Sequence, residues 1–241
     1  MSKDYEIKPL GETSVIVKFG NAISPTIHNR IKRLADYLEK YPFTGMIEYV
    51  MSYTSLVIYY NPFVVKKTLT DDENKSALQI VATYVDECME KAQMIDEDKA
   101  KVVEIPVCYG GQYGPDIDFV AQHNNLSVQE VIQIHTEPEY LVYMIGFCPG
   151  FPYLGGMDKR IATPRRDMPR LEIPARSIGI AGQQTGGYPI STPGGWQIIG
   201  RTPLEMFNPN DDENPSLLHS GDLVKFRAIS EEEYLSLRRE Q

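Results

Sequence analysis

Between Met144 and Leu204, a run of 61 residues, the chain carries 11 of its 18 glycines and 8 of its 17 prolines. Glycine permits positive φ and close backbone approach, whereas proline fixes φ and removes a hydrogen-bond donor. A stretch rich in both cannot be a helix. It is not a disordered linker either, because Phe147, Phe151, Tyr153, Leu154 and Trp196 supply apolar surface that favours burial. The composition predicts shaped loops on a β scaffold, where binding sites tend to lie.

Charge in the same region points to a ligand. From Lys159 to Leu204 there are seven basic residues against Asp167 and Glu172, and from Ile173 to Leu204 there is no acid. The whole chain carries a net charge of −9. A basic island in an acidic protein suggests a local anion, since guanidinium forks match carboxylate and phosphate. The alternative is a set of surface arginines in solvated turns. A net charge of −9 also argues against a nucleic-acid binder. No apolar run reaches membrane-spanning length, and Met1 to Tyr5 opens no signal peptide. Three cysteines with no Cys-x-x-Cys predict a reducing cytoplasm and no zinc site.

Periodicity predicts an α+β chain with two domains, 1–95 and 101–241, divided by the charged segment from Gln93 to Lys101. Alternation predicts strands at Tyr5–Leu10, Thr13–Phe19, Ile47–Ser52 and Ser55–Tyr60. Ser24-Pro25 predicts a helix start, with Ile27, Ile31, Leu34, Ala35 and Leu38 at helical spacing. Asn61-Pro62 is read as a breaker, and Ala77 to Met89 as a second helix. The order is ββαββα, a two-layer unit. The second domain reads as a strand from Val102, short helices at Asp118–Asn124 and Ser127–His135, the latter with a capping box to Glu130, and many short strands between Gly and Pro turns. Such spacing suggests a closed or nearly closed β barrel, with a terminal helix at Glu231–Arg239.

The motifs of the second domain carry a family resemblance. They are Gly146-Phe147-Cys148-Pro149-Gly150-Phe151-Pro152-Tyr153-Leu154, Thr163-Pro164-Arg165, Ile173-Pro174-Ala175, Gly179 to Gly186, Tyr188-Pro189, Thr192-Pro193-Gly194-Gly195-Trp196 and Ile199 to Pro203, with Leu10 to Ser14 upstream. The chain resembles the family that includes the B subunit of 5-oxoprolinase, the kinase inhibitor KipI and allophanate hydrolase subunit 1. That resemblance implies a cyclophilin-like barrel for the second domain. It implies ATP-dependent opening of 5-oxoproline to L-glutamate together with the A subunit of that enzyme and its KipA-like C subunit. ATP, with Mg²⁺ beside it, would be bound by the complex. The resemblance equally implies a KipI-type alternative, a module that binds a sensor histidine kinase and blocks its autophosphorylation, or a carboxyltransferase-like component related to urea carboxylase. In many relatives a small residue is expected where this chain has Arg176.

On that reading Arg165, Arg176 and Arg201 would stabilise a transferring phosphoryl group and the substrate carboxylate, and His135 would serve as a base, the alternative being a helix C-terminal histidine that interacts with the helix dipole. Gln183, Tyr188 and the Pro193-Gly194-Gly195 backbone would orient the amide. Phe147, Pro149, Gly150, Phe151, Tyr153 and Trp196 would wall the pocket, or the aromatics would simply fill the barrel. Gly179 to Gly187 forms either an anion nest or a barrel turn. Arg201 binds ligand, or caps carbonyls or pairs with Glu205. Cys148 reads as a small buried residue, and His28, His123 and His219 as surface residues. No Walker motif occurs and no histidine pair has metal spacing.

Overall fold

The computed structural model describes residues 3–69, 72, 74–92 and 100–239. The chain forms two compact units, Met1–Lys99 and Ala100–Gln241. Of the charged segment expected at the boundary, residues 93–99 lie outside those described.

The first unit runs β1 (Glu6–Pro9), β2 (Ser14–Lys18), α1 (Pro25–Lys40), β3 (Met46–Met51), β4 (Ser55–Tyr60), α2 (Pro62–Thr68) and α3 (Ala77–Ala92). The strands form an antiparallel sheet in the order β1-β2-β4-β3. Ser24 caps α1 by accepting the Ile27 N–H at 3.2 Å, and Pro25 opens the helix where a missing N–H costs nothing. Val15, Val17, Leu56 and Ile58 of the sheet share one core with Ile31, Leu34, Val65, Val81 and Val85 of the helices.

Two expectations need correction here. Asn61-Pro62 starts a helix rather than only ending a strand. The Asn61 side chain accepts the Phe63 and Val64 N–H groups at 3.1 and 3.2 Å, with Pro62 in the first turn. The unit is therefore ββαββαα. His28 is not on the surface; it is fully buried on the inner face of α1, and burial pushes its imidazole down to about 4.

The second unit runs β5 (Val102–Tyr109), α4 (Ile117–His123), α5 (Val128–Thr136), β6 (Glu139–Ile145), β7 (Pro152–Gly155), β8 (Arg170–Ile173), β9 (Ser177–Ala181), β10 (Gln184–Gly187), β11 (Thr192–Gly194), β12 (Gln197–Arg201), β13 (Leu223–Ile229) and α6 (Glu231–Arg239). Seven strands close into a barrel in the order β10-β7-β6-β13-β5-β12-β9, and β8 and β11 form a separate two-stranded ribbon. Within the barrel β13 and β5 are parallel and the other pairs antiparallel. Ile105, Val107, Tyr140, Val142, Leu154, Ile178, Ile180, Ile199, Val224 and Phe226 fill its core, with Val120 and Val131 from α4 and α5 packed against them. The capping box at Ser127 and Glu130 is complete. The chain is thus an α+β protein with a two-layer unit and a closed barrel. Among the described residues no helix is long and apolar enough to cross a membrane.

Candidate functional site

The loop between β6 and β7 is two successive turns. The Cys148 N–H donates to the Gly146 carbonyl at 2.8 Å, which closes a γ-turn centred on Phe147 at φ +68°. That turn is rare and strained for a bulky residue. The Phe151 N–H then donates to the Cys148 carbonyl at 3.1 Å, around Pro149 and Gly150 with φ +79°. Proline followed by a positive-φ glycine is the sequence of a type II turn. The consequence is that Phe147 stands out, 64% exposed, while Phe151 turns in, 2% exposed. Pro149 is exposed and Gly150 buried.

Phe151 is the hub of an aromatic cluster. Its ring lies 5.4 Å from Phe147, 5.2 Å from Tyr153, 5.5 Å from Tyr188 and 5.6 Å from Trp196, all edge to face. Tyr188 and Trp196 are as buried as core residues, and Ile173, Ala181 and Ile198 complete the cluster. These aromatics are packing first. Only Phe147 and part of Tyr153 reach solvent. The Tyr188 phenol is pushed up to about 12 by burial, partly offset by the nearby Arg165 and by a bond from the Trp196 backbone. It is therefore a neutral donor at physiological pH. Gly194 lets the β11 ribbon close over it, because a Cβ there would sit 2.7 Å from the Tyr188 oxygen. Arg165 is exposed and makes no hydrogen bond or ion pair with a described residue. Met168 at 81%, Leu171 at 93% and Ile190 at 38% exposure add apolar surface to the same segments.

The basic island divides. Arg166 and Arg170 are bound to Asp116, a residue that no local motif marks. Asp116 is buried, and its two oxygens accept from Arg166 Nη1 at 3.0 Å, from both Arg170 Nη atoms at 2.8 Å and from the Ile198 N–H at 2.7 Å. The Arg166 N–H also donates to the Gly195 carbonyl, and Gln197 Nε2 to the Pro164 carbonyl. This clamp fixes the segment bearing Arg165 to the barrel. Arg176 and Arg201 belong elsewhere, with Arg238 of α6. Arg201 Nε caps the Ala175 carbonyl at 2.9 Å, and Glu205 lies 3.9 Å from both Arg176 and Arg238 rather than paired to Arg201.

His135 is a core residue. It is fully buried, stacked at 4.6 Å on Phe226, and both ring nitrogens are engaged. The Tyr109 hydroxyl lies 2.7 Å from Nδ1, and Thr185 Oγ1 lies 2.8 Å from Nε2. Thr185 itself donates to the Gly179 carbonyl at 3.0 Å. Thr185 therefore accepts from Nε2–H, and Tyr109 donates to Nδ1, so the imidazole is neutral with its proton on Nε2. Burial pushes its pKa down to about 3. A base needs reach to a substrate proton, and nothing opens this ring to solvent.

Gly179 to Gly187 is the hairpin of β9 and β10, with Gly182 at φ +59° and Gln183 exposed at its tip, which makes the segment a barrel turn. The Gly182 N–H donates to the Thr163 carbonyl at 2.7 Å and is not free for an anion. Burial raises the Cys148 thiol, which leaves it a poor nucleophile. Among the described residues no group of three His, Cys, Asp or Glu could hold a metal ion. The structure therefore brings together Phe147, Pro149, Gly150, Phe151, Tyr153, Tyr188, Pro193, Gly194, Gly195, Trp196 and Arg165. It places Gln183 at a hairpin tip and His135 inside the core, and it joins Arg176 and Arg201 in a second cluster.

The comparisons with known proteins agree with this architecture. A family model described as "Carboxyltransferase domain, subdomain C and D" matches residues 5–218. The chain is 48% identical to the B subunit of 5-oxoprolinase from Bacillus subtilis (strain 168), over 100% of this chain and 99% of that protein. Among solved structures it is similar to the conserved uncharacterized protein PH0987 from Pyrococcus horikoshii. That match has 47% identity and a TM-score of 0.55, and covers 95% of this chain and 100% of the other. TTHA0988 matches with a TM-score of 0.74 at 31% identity, over 90% of this chain and 40% of that longer one.

Proposed function

The chain belongs to the carboxyltransferase subdomain C and D family, in the branch of the 5-oxoprolinase B subunits, and from that premise we propose that it is the B subunit of an ATP-dependent 5-oxoprolinase. The observation that carries this reading is the 48% identity to such a B subunit over the full length of both chains. The reaction opens the ring amide of 5-oxoproline to L-glutamate with ATP hydrolysis. An amide is a poor electrophile, and phosphorylation of its carbonyl oxygen would supply the missing leaving group. Stabilising the transferring phosphoryl is then the protein's main task.

The loop face suits one part of that task. Arg165 offers a guanidinium with no partner among the described residues, on a segment held by the Asp116 clamp, and the neutral Tyr188 phenol lies near it. The chain carries no Walker loop, and no metal-holding cluster among its described residues. Mg²⁺ would therefore come with the nucleotide, and the A and C subunits would complete the site. The exposed Phe147, Met168, Leu171 and Ile190 suit the docking of such a partner, as large exposed apolar side chains mark contact surfaces. The same surface would serve the alternative of binding a sensor histidine kinase. Three unpaired cysteines fit a reducing cytoplasm.

The direct test is glutamate release from 5-oxoproline and ATP, with the chain alone and with purified A and C subunits. Turnover that needs all three is the expected result. No turnover in the reconstituted mixture, together with capture of a sensor kinase instead of the C subunit, would transfer the protein to the kinase-binding reading. A second expectation concerns Phe147. Phe147→Gly relieves a positive-φ strain on the order of 1–3 kcal/mol, so the barrel should melt no lower than wild type. Affinity for the partner should fall about tenfold or more, because an exposed aromatic anchor is gone. Unchanged affinity in calorimetric titration would remove this loop from the interface.

A further inference from the structure

Arg176 has a left-handed backbone at φ +69°, as do only Asn125 and Phe147 among the described non-glycine residues. Glycine or asparagine is the unstrained choice at such a place, and strain of this kind persists where the side chain is needed. The side chain is mostly buried, and its Nε is enclosed without a hydrogen-bond partner. A buried guanidinium nitrogen left unsatisfied is costly unless something fills the gap.

Its surroundings are cationic. Arg176 Nη1 and Arg238 Nη1 each lie 3.9 Å from the same oxygen of Glu205. That distance is too long for a hydrogen bond, and it places the two nitrogens within twice that distance of each other. Arg201 joins from β12: its Nε bonds the carbonyl of Ala175, the residue before Arg176, and its two terminal nitrogens make no bond with a described residue. Burial, then Arg238, then Arg201, lower the Arg176 pKa, so the three guanidiniums feel one another. Among the described residues one carboxylate, itself more than half exposed, lies beside two of these cations, and Arg201 has no acid partner. Among the described residues two positive charges remain unbalanced.

We propose that Arg176, Arg201 and Arg238 form a binding site for a phosphate dianion, which displaces Glu205 from the guanidiniums. A dianion balances the excess charge. A phosphate also offers three acceptor oxygens to three forks, where a carboxylate has two. Glu205 acts as an internal counter-ion that holds the cluster together until the ligand arrives. The site needs neither a partner chain nor turnover, so it stands or falls apart from the 5-oxoprolinase reading.

Calorimetric titration of the intact chain at low salt and about pH 8, where phosphate is a dianion, tests it, with inorganic phosphate and ATP as probes. Wild type should bind one phosphate saturably. Arg176→Gly keeps the left-handed backbone and removes the fork, and affinity should fall at least about tenfold. Arg238→Gln, on the terminal helix, carries the same expectation if the glycine variant does not fold. Glu205→Gln removes the competing carboxylate and should tighten binding about tenfold. Arg160→Gln breaks an exposed pair with Asp158 outside the cluster and should change nothing. Competition by ATP assigns the phosphate group to a nucleotide, and its failure to compete assigns a free ion or small ester; either supports the site. Absence of saturable binding of both probes to wild type overturns it. So does wild-type affinity in folded Arg176→Gly or Arg238→Gln, weaker binding in Glu205→Gln, or an equal loss in Arg160→Gln.

Discussion

Replacing Asp116 with alanine is expected to lower the stability of the barrel unit by about 3 kcal/mol, the low end of what removing one partner of a buried ion pair costs. Four hydrogen bonds end on this one carboxylate: three from two arginines and one from the Ile198 backbone. Without it two guanidiniums face each other across a low-dielectric gap, and one buried backbone N–H loses its acceptor. Arg166 and Arg170 keep about a quarter to a third of their side-chain surface in water, which is why the upper end of the range is not expected. Asp116→Asn retains acceptor capacity on one oxygen and should cost less than the alanine change. Trp196 is the sole tryptophan and belongs to this unit, so urea unfolding followed by its fluorescence reads the barrel alone. A loss below about 1 kcal/mol would mean that the arginines simply rehydrate and that the clamp is not structural.

Asp116 also shows where reading the sequence runs out. Counting charge along the chain found a basic island with few acids, because the partner of Arg166 and Arg170 lies 50 and 54 residues upstream. Only the barrel brings them together. Local devices were legible for the opposite reason. The Ser24-Pro25 start and the Ser127–Glu130 capping box lie within four residues, and both form as read. Asn61-Pro62 is local too, but the same pair ends a strand and caps a helix, and the sequence does not say which comes first. Proline and glycine punctuate the strands β7, β8, β10 and β11, and their ladders depend on distant neighbours, so no local pattern sets their bounds. The aromatics between Phe147 and Trp196 pack in one cluster, as their shared Gly- and Pro-rich segment suggests. Arg176 and Arg201 share that sequence neighbourhood, yet the ends of β9 and β12 set Arg176 beside Glu205 and Arg201 on the Ala175 carbonyl instead.

His135 and His28 give the chain an acid sensitivity that carboxylates alone would not. In the folded state burial holds His135 near 3 and His28 near 4, whereas an unfolded imidazole titrates near 6.5. Below about pH 6.5 the unfolded chain takes up a proton at each site that the native one refuses. The unfolded state therefore binds more protons, and stability falls as pH falls, down to the folded values. Each histidine contributes at most about 1.4 kcal/mol per pH unit in that window, and nothing above it. The variant His135→Phe isolates the barrel's share. At about pH 8 it should be less stable than wild type by about 2 kcal/mol, since the Tyr109 and Thr185 hydroxyls lose their partner. As pH falls, wild type loses the His135 contribution and the variant does not, so the two stability curves should meet near about pH 5. Urea unfolding monitored at Trp196 across the range measures both. Parallel curves from about pH 8 to 4 would show that His135 takes up its proton in the folded barrel, and with it that the closed hydrogen-bond chain from Tyr109 to Gly179 does not hold the ring neutral.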